Sequence, residues 1–237
     1  MFFFDPLYMV VIGIGLGLSL WASARVKFAF ARYSKVRSAS GMTGARIAER
    51  ILTAQGISGV RIERVKGSMT DHYDPRTRTL RLSEPVYGSS SLAALGVAAH
   101  EVGHAIQHAR GNAMLKFRSM WVPVANLGSG LSMVVLIVAA VMGGAQSVMG
   151  QGLALLGVGL FATATVFTLV TLPVEFDASR RALATLRDGA IMSERELVGA
   201  RKVLNAAGMT YVAAFITSLL TLLYWAYRLG LLGGRRG

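Results

Sequence analysis

Hydrophobic and polar positions divide the chain into four long apolar runs separated by polar stretches of unequal length. The apolar runs cover Pro6 to Ala24, Met120 to Met142, Gly152 to Leu172 and Met209 to Tyr227. Each is long enough to cross the hydrocarbon core of a bilayer as a helix, which takes about 20 residues. The apolar fraction of 53% and the mean hydropathy of +0.50 exceed those of ordinary soluble proteins. The pattern therefore predicts a mainly α-helical integral membrane protein with four transmembrane helices.

The longest polar stretch, Arg25 to Arg118, shows helical and strand periodicities in turn. Thr43 to Gln55 predicts an amphipathic helix, because its apolar residues recur at helical spacing. Val60 to Val65 and Thr79 to Leu82 predict two short strands, with a turn at Asp74-Pro75 between them. The strands could form a structural hairpin, or one of them could bind a substrate backbone by β-addition. Together these elements predict a small α+β domain.

The helix predicted over Ser89 to Arg110 contains the sequence His-Glu-Val-Gly-His. His100 and His104 are four residues apart, so both imidazoles project from one face of a helix, within reach of one metal ion. Glu101 stands beside the first histidine, where it can hold a water molecule. This is the H-E-x-x-H arrangement of zinc peptide hydrolysis.

Two histidines that are satisfied within a protein core are the alternative interpretation of this motif. The flanking residues are small or apolar, which predicts that the helix is buried on several sides. Buried polar side chains without partners would cost several kcal/mol, and a metal removes that cost. The context therefore favours one catalytic zinc ion. The chain has no cysteine, so its metal ligands must be histidines and carboxylates.

Glu175 lies just after the third apolar run, at the start of a helix that Pro173 is expected to begin. The connection between the second and third runs, Gly143 to Gln151, is short and carries no charge. These two runs therefore predict an antiparallel transmembrane hairpin that returns the chain to the side of the motif helix. Glu175 is then expected to face the two histidines.

A third ligand is needed because zinc in a hydrolase has three protein ligands and one open position. His100, His104 and Glu175 form the predicted set. Asp177 is the competing ligand, but it points about 200° around the helix from Glu175, so one of the two acids is expected to reach the metal. The remaining alternative is that the acid only balances the charge of Arg180-Arg181.

The net charge of +13 raises the question of nucleic-acid binding. The basic residues cluster beside the apolar runs, as they do on the cytoplasmic flanks of membrane spans, so we expect no nucleic-acid partner. Five of them follow the first run closely (Arg25, Lys27, Arg32, Lys35 and Arg37). The positive-inside rule then places the N-terminus outside and the polar domain in the cytoplasm. Arg228, Arg235 and Arg236 would lie outside, which opposes the rule mildly.

The expected domain organisation has five segments. They are an N-terminal transmembrane helix (1–25), a cytoplasmic zincin-like domain with the H-E-x-x-H helix (26–119), a transmembrane hairpin (120–172), cytoplasmic helices with the third metal ligand (173–208), and a C-terminal transmembrane helix and tail (209–237). Within the fourth segment, Ser193 and Glu196 have the spacing of a capping box.

With these residues in place, the chain resembles the YugP-type family of bacterial membrane zinc metallopeptidases, and more distantly the HtpX-like membrane peptidases. The resemblance rests on the N-terminal span and on three segments, Asp71 to Ser83, Ala98 to Gln107 and Pro173 to Arg181. It implies a gluzincin-like endopeptidase with His100, His104 and Glu175 as zinc ligands and Glu101 as general base. HtpX-like enzymes usually have an aspartate four residues after the third ligand, where this chain has Ser179.

The expected function is therefore hydrolysis of peptide bonds in membrane or membrane-proximal proteins, at the cytoplasmic face of a bacterial inner membrane. The expected partners are a peptide or protein substrate and the lipid bilayer. Three residues are candidates for stabilising the oxyanion: His72, Tyr73 and Arg180. The alternatives from other classes are a divalent-metal transporter, which would need ionisable residues within the spans, and a proteolytically inactive membrane scaffold.

Overall fold

A computed structural model of the chain describes residues 5–143 and 146–228. Within them the chain forms seven α-helices and a three-stranded sheet. The elements are α1 (Pro6–Tyr33), α2 (Gly44–Ala54), β1 (Arg61–Val65), β2 (His72–Asp74), β3 (Thr79–Ser83), α3 (Glu84–Tyr87), α4 (Leu92–Ala109), α5 (Ala113–Val141), α6 (Val148–Asp188) and α7 (Glu194–Arg228). The protein is thus mostly helical, with one small sheet.

Four helices, α1, α5, α6 and α7, are long and apolar enough to cross a membrane. This confirms the prediction of four candidate transmembrane helices. Residues 144–145 of the expected outer connection lie outside the described residues, as do residues 1–4 and the C-terminal tail from residue 229, which contains Arg235 and Arg236.

The described residues fall into two compact units. The first, here called the helical unit, contains the described parts of Met1–Trp21, Phe117–Leu172 and Thr210–Gly237. The second, the mixed unit, contains Ala22–Lys116 and Pro173–Met209. The five-segment division expected from the sequence stays a prediction.

Small residues let the helices of the helical unit pack closely. A Cβ atom on Gly157 would lie 2.7 Å from Leu136 Cγ, so a larger residue here would require the Leu136 side chain to shift. At one end of the unit, Asp5 Oδ2 accepts hydrogen bonds from Tyr224 Oη at 3.0 Å and Arg228 Nε at 2.9 Å. These contacts connect α1 to the C-terminal end of α7.

The mixed unit has an apolar core to which α2, α3, α4, the sheet and the parts of α6 and α7 within this unit all contribute. On α2, the side chain of the N-cap residue Thr43 accepts from Arg46 N, and Ile47, Ile51 and Leu52 are buried. The helix is followed by Gly56, whose φ of +67° favours glycine. The amphipathic helix expected here is confirmed.

The sheet has the strand order β1-β3-β2. β1 pairs in parallel with β3, whereas β2 pairs antiparallel with β3. Of the two alternatives left open for the predicted strands, the structural hairpin is therefore wrong, because strands joined by a hairpin must be antiparallel. Binding of a substrate backbone by β-addition stays a prediction. Strand β2 was not predicted, since its three residues His-Tyr-Asp are too short and too polar to show strand alternation. The tight turn joins β2 to β3, where Asp74 accepts from Arg76 N and Thr77 Oγ1.

Helix α6 continues without a break through Pro173. The expectation that Pro173 starts a new helix is wrong. An internal proline removes one backbone hydrogen bond and costs about 3 kcal/mol. One stripe of the following turns is fully buried, and it consists of Val174, Ala178, Ala182 and Leu186. This burial outweighs the tendency of proline to interrupt a helix.

Candidate metal centre

Helix α4 carries both motif histidines and is defined at each end by its sequence. The Ser91 side chain accepts from Ala94 N at 3.2 Å and begins the helix. Gly111, with φ of +66°, follows its C-terminus. His100 and His104 lie one turn apart with ring centroids 4.8 Å from each other. The two imidazoles are thus side by side, as the spacing predicts.

Gly103 allows α4 and α6 to approach closely at this site. A Cβ atom at this position would lie 2.6 Å from the Ala178 carbonyl oxygen, well inside ordinary contact. The helices therefore meet backbone to backbone, and Glu175, one turn before Ser179 on α6, comes beside the histidines. Gly103 is the second variable position of H-E-x-x-H, and the close contact with α6 constrains this position to a small residue.

The structure brings His100, His104 and Glu175 together. Glu175 Oε2 lies 3.2 Å from His100 Nε2 and 3.6 Å from His104 Nε2. The candidate ligand atoms all lie within 4.8 Å of one another. Ligand atoms bound to one tetrahedral zinc at about 2.0 to 2.1 Å are about 3.3 Å apart. The donor set and its spacing therefore fit a zinc ion with three protein ligands.

Burial and charge make this group of side chains a favourable place for a cation. Glu175 is 2% exposed and His104 is 8% exposed. Burial alone would lower the pKa of His104, but hydrogen bonding and charge from Glu175 raise it above the usual value. A buried carboxylate needs such positive charge beside it, and a divalent ion can supply this charge instead of a proton.

Glu101 is buried next to the histidine pair, with 8% of its surface exposed. Burial raises the pKa of its carboxyl group, the two histidines oppose that shift, and Glu175 and Asp71 add to it. Asp71 itself accepts hydrogen bonds from Ser83 N at 2.7 Å and Ser83 Oγ at 2.8 Å. A carboxyl group with a raised pKa holds a proton more readily than an ordinary glutamate, which suits a group that takes up and returns a proton.

The second ring nitrogen of each motif histidine also has a partner. His100 Nδ1 lies 3.1 Å from Ser179 Oγ, and His104 Nδ1 lies 3.0 Å from Gln107 Oε1. Gln107 did not emerge as a site residue from the sequence. Its position three residues after His104, on the same side of α4, is the signal that could have found it.

Asp177 is not one of the three clustered side chains. It accepts hydrogen bonds from Gln107 Nε2 at 2.9 Å, Arg180 at 2.8 Å and Arg181 at 2.6 Å. Of the two acids that competed in the sequence, Glu175 is therefore the one that the fold brings to the histidines. Asp177 instead connects the site to two basic side chains.

The candidates for oxyanion stabilisation have different surroundings. Tyr73 Oη lies 2.9 Å from His108 Nδ1, one helical turn after His104, and burial raises the pKa of this phenol. His72 Nδ1 donates to the Thr70 carbonyl oxygen at 2.8 Å. Arg180 is paired with Asp177. Tyr73 is thus the candidate that already contacts the motif helix.

Comparison with known proteins assigns the chain to a family. Residues 8–230 match the family described as "Putative neutral zinc metallopeptidase". The chain belongs to this family. It is also 45% identical over 217 residues to the "Putative membrane protease YugP" of Bacillus subtilis (strain 168), a match that covers 92% of this chain and 94% of that protein. No solved structure matches the chain.

Membership of the zinc metallopeptidase family confirms the resemblance found in the sequence. The family description implies zinc as the metal. It also implies a peptide or protein substrate. The name of the Bacillus relative, together with the four apolar helices, indicates a multi-pass membrane protein.

Proposed function

We propose that this protein is a membrane-bound zinc metalloendopeptidase of the gluzincin type. His100, His104 and Glu175 are the proposed zinc ligands, Glu101 is the proposed general base, and the mixed unit is the proposed zincin-like domain. The observation that carries the proposal is the meeting of two histidine nitrogens from α4 with a carboxylate 75 residues further along the chain, at the spacing of zinc ligands.

The protein's own residues have distinct tasks in the proposed reaction. Zinc, when bound, polarises the scissile carbonyl and makes a water molecule acidic enough to lose a proton near neutral pH. The Glu101 carboxylate takes that proton and delivers it to the leaving amine nitrogen. Burial raises the pKa of this carboxyl, which suits a group that must hold the proton between the two transfers.

Metal transport and a purely structural role are supported less well. A transporter requires ionisable residues within its spans. The helical unit contains no histidine, and its one acidic residue, Asp5, is paired with Arg228. An inactive scaffold would not need a buried carboxyl group at position 101 beside two histidines and Glu175, because an unneeded buried acid destabilises a fold.

We place the proposed active site on the cytoplasmic side of a bacterial inner membrane. The basis is the positive-inside rule, since the basic residues of the mixed unit flank the spans and the connection between α5 and α6 has no charge. Substrates would then be membrane proteins or membrane-proximal peptides. Equal cleavage of soluble and membrane-tethered forms of one substrate would contradict this substrate class.

Zinc content and proteolysis of the purified full-length protein test the proposal. Wild type is expected to hold one zinc per chain, and His100→Ala and Glu175→Ala are expected to lose it. Glu101→Gln keeps the ligands and should retain zinc but lose casein cleavage and self-cleavage. Retention of peptidase activity in Glu101→Gln would refute the mechanism. Retention of full zinc affinity in Glu175→Ala would refute the ligand set.

Single cysteines test the orientation, because the natural chain has none. Ser193→Cys, in the mixed unit, should resist a membrane-impermeant thiol reagent in intact cells. Ser147→Cys, in the connection between α5 and α6, should react with it. The reverse labelling pattern would place the site outside.

A further inference from the structure

Gln107 is a fully buried polar side chain whose amide group is bonded at both ends. Its Nε2 donates to the Val174 carbonyl oxygen at 2.9 Å and to Asp177 Oδ2 at 2.9 Å. Both of these partners lie on α6. The two hydrogens of the amide nitrogen are therefore used by α6, and the amide oxygen faces α4.

The orientation of this amide follows from the chemistry of its partners. A peptide carbonyl can only accept, and the Asp177 oxygens already accept from Arg180 and Arg181. A reversed amide would set its oxygen against two other oxygens. The Gln107 oxygen therefore faces His104 Nδ1, and because an amide oxygen can only accept, that nitrogen carries the proton. In the neutral imidazole the lone pair is then on Nε2, the nitrogen that faces Glu175 and that a metal beside this carboxylate would use.

We propose that Gln107 is a positioning residue that sets the tautomer and ring plane of His104 through a one-way chain of hydrogen bonds from α6. The inference rests on the proposed function, because it makes Nε2 the atom of His104 that binds zinc. His100 differs, since its Nδ1 meets the hydroxyl of Ser179, which can donate or accept. Of the two motif histidines, His104 is thus the one whose metal-binding atom is fixed in advance.

The isosteric variant Gln107→Glu tests which groups donate and which accept in this series of hydrogen bonds. It replaces a donor by an acceptor opposite Val174 and Asp177 and so creates two oxygen–oxygen contacts. A carboxylate bonded to a ligand histidine would by its charge alone strengthen metal binding. The proposed hydrogen bonds predict the opposite, a loss of zinc affinity of about 10- to 100-fold. The affinity is measured on the full-length protein in detergent, by competition with a chelator. Unchanged or tighter zinc binding would overturn the proposal.

Two further variants separate hydrogen-bond direction from general damage. Asp177→Asn, added to Gln107→Glu, supplies a donor opposite the new carboxylate and should recover at least about threefold of the lost affinity. Gln151→Glu, the same change at an exposed glutamine on α6, is the matched control and should bind zinc as wild type does. If the double variant recovers no zinc affinity, the proposed series of hydrogen bonds from α6 through Gln107 to His104 is contradicted.

The tautomer of His104 can be observed without zinc and without activity. The chain has four histidines, so protein labelled with 15N-histidine gives few imidazole signals, and His104→Asn assigns the relevant one. In zinc-free Glu175→Ala protein at alkaline pH, no carboxylate competes for a proton on Nε2. We expect the neutral His104 ring there to carry its proton on Nδ1, and adding Gln107→Leu should shift the proton towards Nε2. A proton on Nε2 in the Glu175→Ala protein overturns this inference whether or not wild type binds zinc. A proton on Nδ1 there, together with a wild type that binds no zinc, would refute the proposed function alone.

Discussion

The contact between Gly103 and Ala178 leads to a prediction that links helix packing to metal affinity. In Gly103→Ala, the new Cβ atom would lie 2.6 Å from the Ala178 carbonyl oxygen. Ordinary contact begins at 3.4 Å, so α4 and α6 must separate locally by about 0.8 Å. Metal sites tolerate displacements of about 0.2 to 0.5 Å, and Glu175 stands on one helix while the histidines stand on the other. We expect zinc affinity to fall at least about tenfold.

Stability should change less than zinc affinity in this variant. Replacing glycine by alanine within a helix gains about 1 kcal/mol, while overpacking costs about 1 to 3 kcal/mol. The net loss of unfolding free energy in the metal-free protein should therefore be at most about 2 kcal/mol. Competition with a chelator measures the affinity, and thermal unfolding with excess chelator measures the stability.

Two other glycines provide graded controls for Gly103→Ala. Gly96, on the same helix, would place its Cβ atom 3.3 Å from Ala200 Cβ, a contact that a small shift relieves. Gly130, on α5, has nothing within 4 Å of such an atom. Gly96→Ala should weaken zinc binding slightly and Gly130→Ala should leave it unchanged. The reasoning is refuted if Gly103→Ala binds zinc as tightly as Gly130→Ala does.

Three further predictions concern stability. Asp71→Ala removes the half-buried carboxylate that accepts from N and Oγ of the buried Ser83, and it should cost about 1 to 3 kcal/mol in urea unfolding. Asp71→Asn keeps one acceptor oxygen and should cost less, so equal losses would contradict this. Glu196→Ala removes the capping box with Ser193 and the hydrogen bond from Ala39 N at 2.7 Å. The melting temperature of this variant should fall by the equivalent of about 1 kcal/mol. Glu194→Ala leaves both contacts intact and serves as the control. Removing zinc with a chelator should lower the melting temperature of wild type, because a ligand bound to the folded state stabilises it, and should not change that of the zinc-ligand variants; an equal shift in both would show that the chelator acts elsewhere.

The sequence was most informative where the periodicity is long or the spacing is fixed by a helix. The four apolar runs each correspond to a long apolar helix, and the amphipathic α2 and the capping box at Ser193 are present in the structure. His100 and His104 lie on one helix, so their spacing alone sets their proximity. Glu175 could be inferred from the expected topology, in which the two apolar runs before it form a hairpin that returns the chain to the side of α4.

The features that were missed depend on contacts between distant segments. The parallel pairing of β1 with β3 requires the chain to pass through β2, whose three polar residues show no pattern. The continuity of α6 through Pro173 depends on the burial of Val174 and Ala178, which outweighs the local effect of proline. Gln107 has an ordinary position on α4, and its role arises only when α6 supplies a carbonyl and a carboxylate opposite its amide nitrogen.

The long separation between the two halves of the proposed zinc site has a consequence for biogenesis. Glu175 is synthesised 75 residues after His100, and the hairpin of α5 and α6 lies between them. At a translation rate of about 5 to 20 residues per second, Glu175 is synthesised about 4 to 15 s after His100. During that time two histidines alone offer a weak site. With the proposed ligand set, zinc loading is therefore expected to follow synthesis of α5 and α6, and a chain that stalls before α6 is complete is expected to bind little zinc and to lack the proposed peptidase activity.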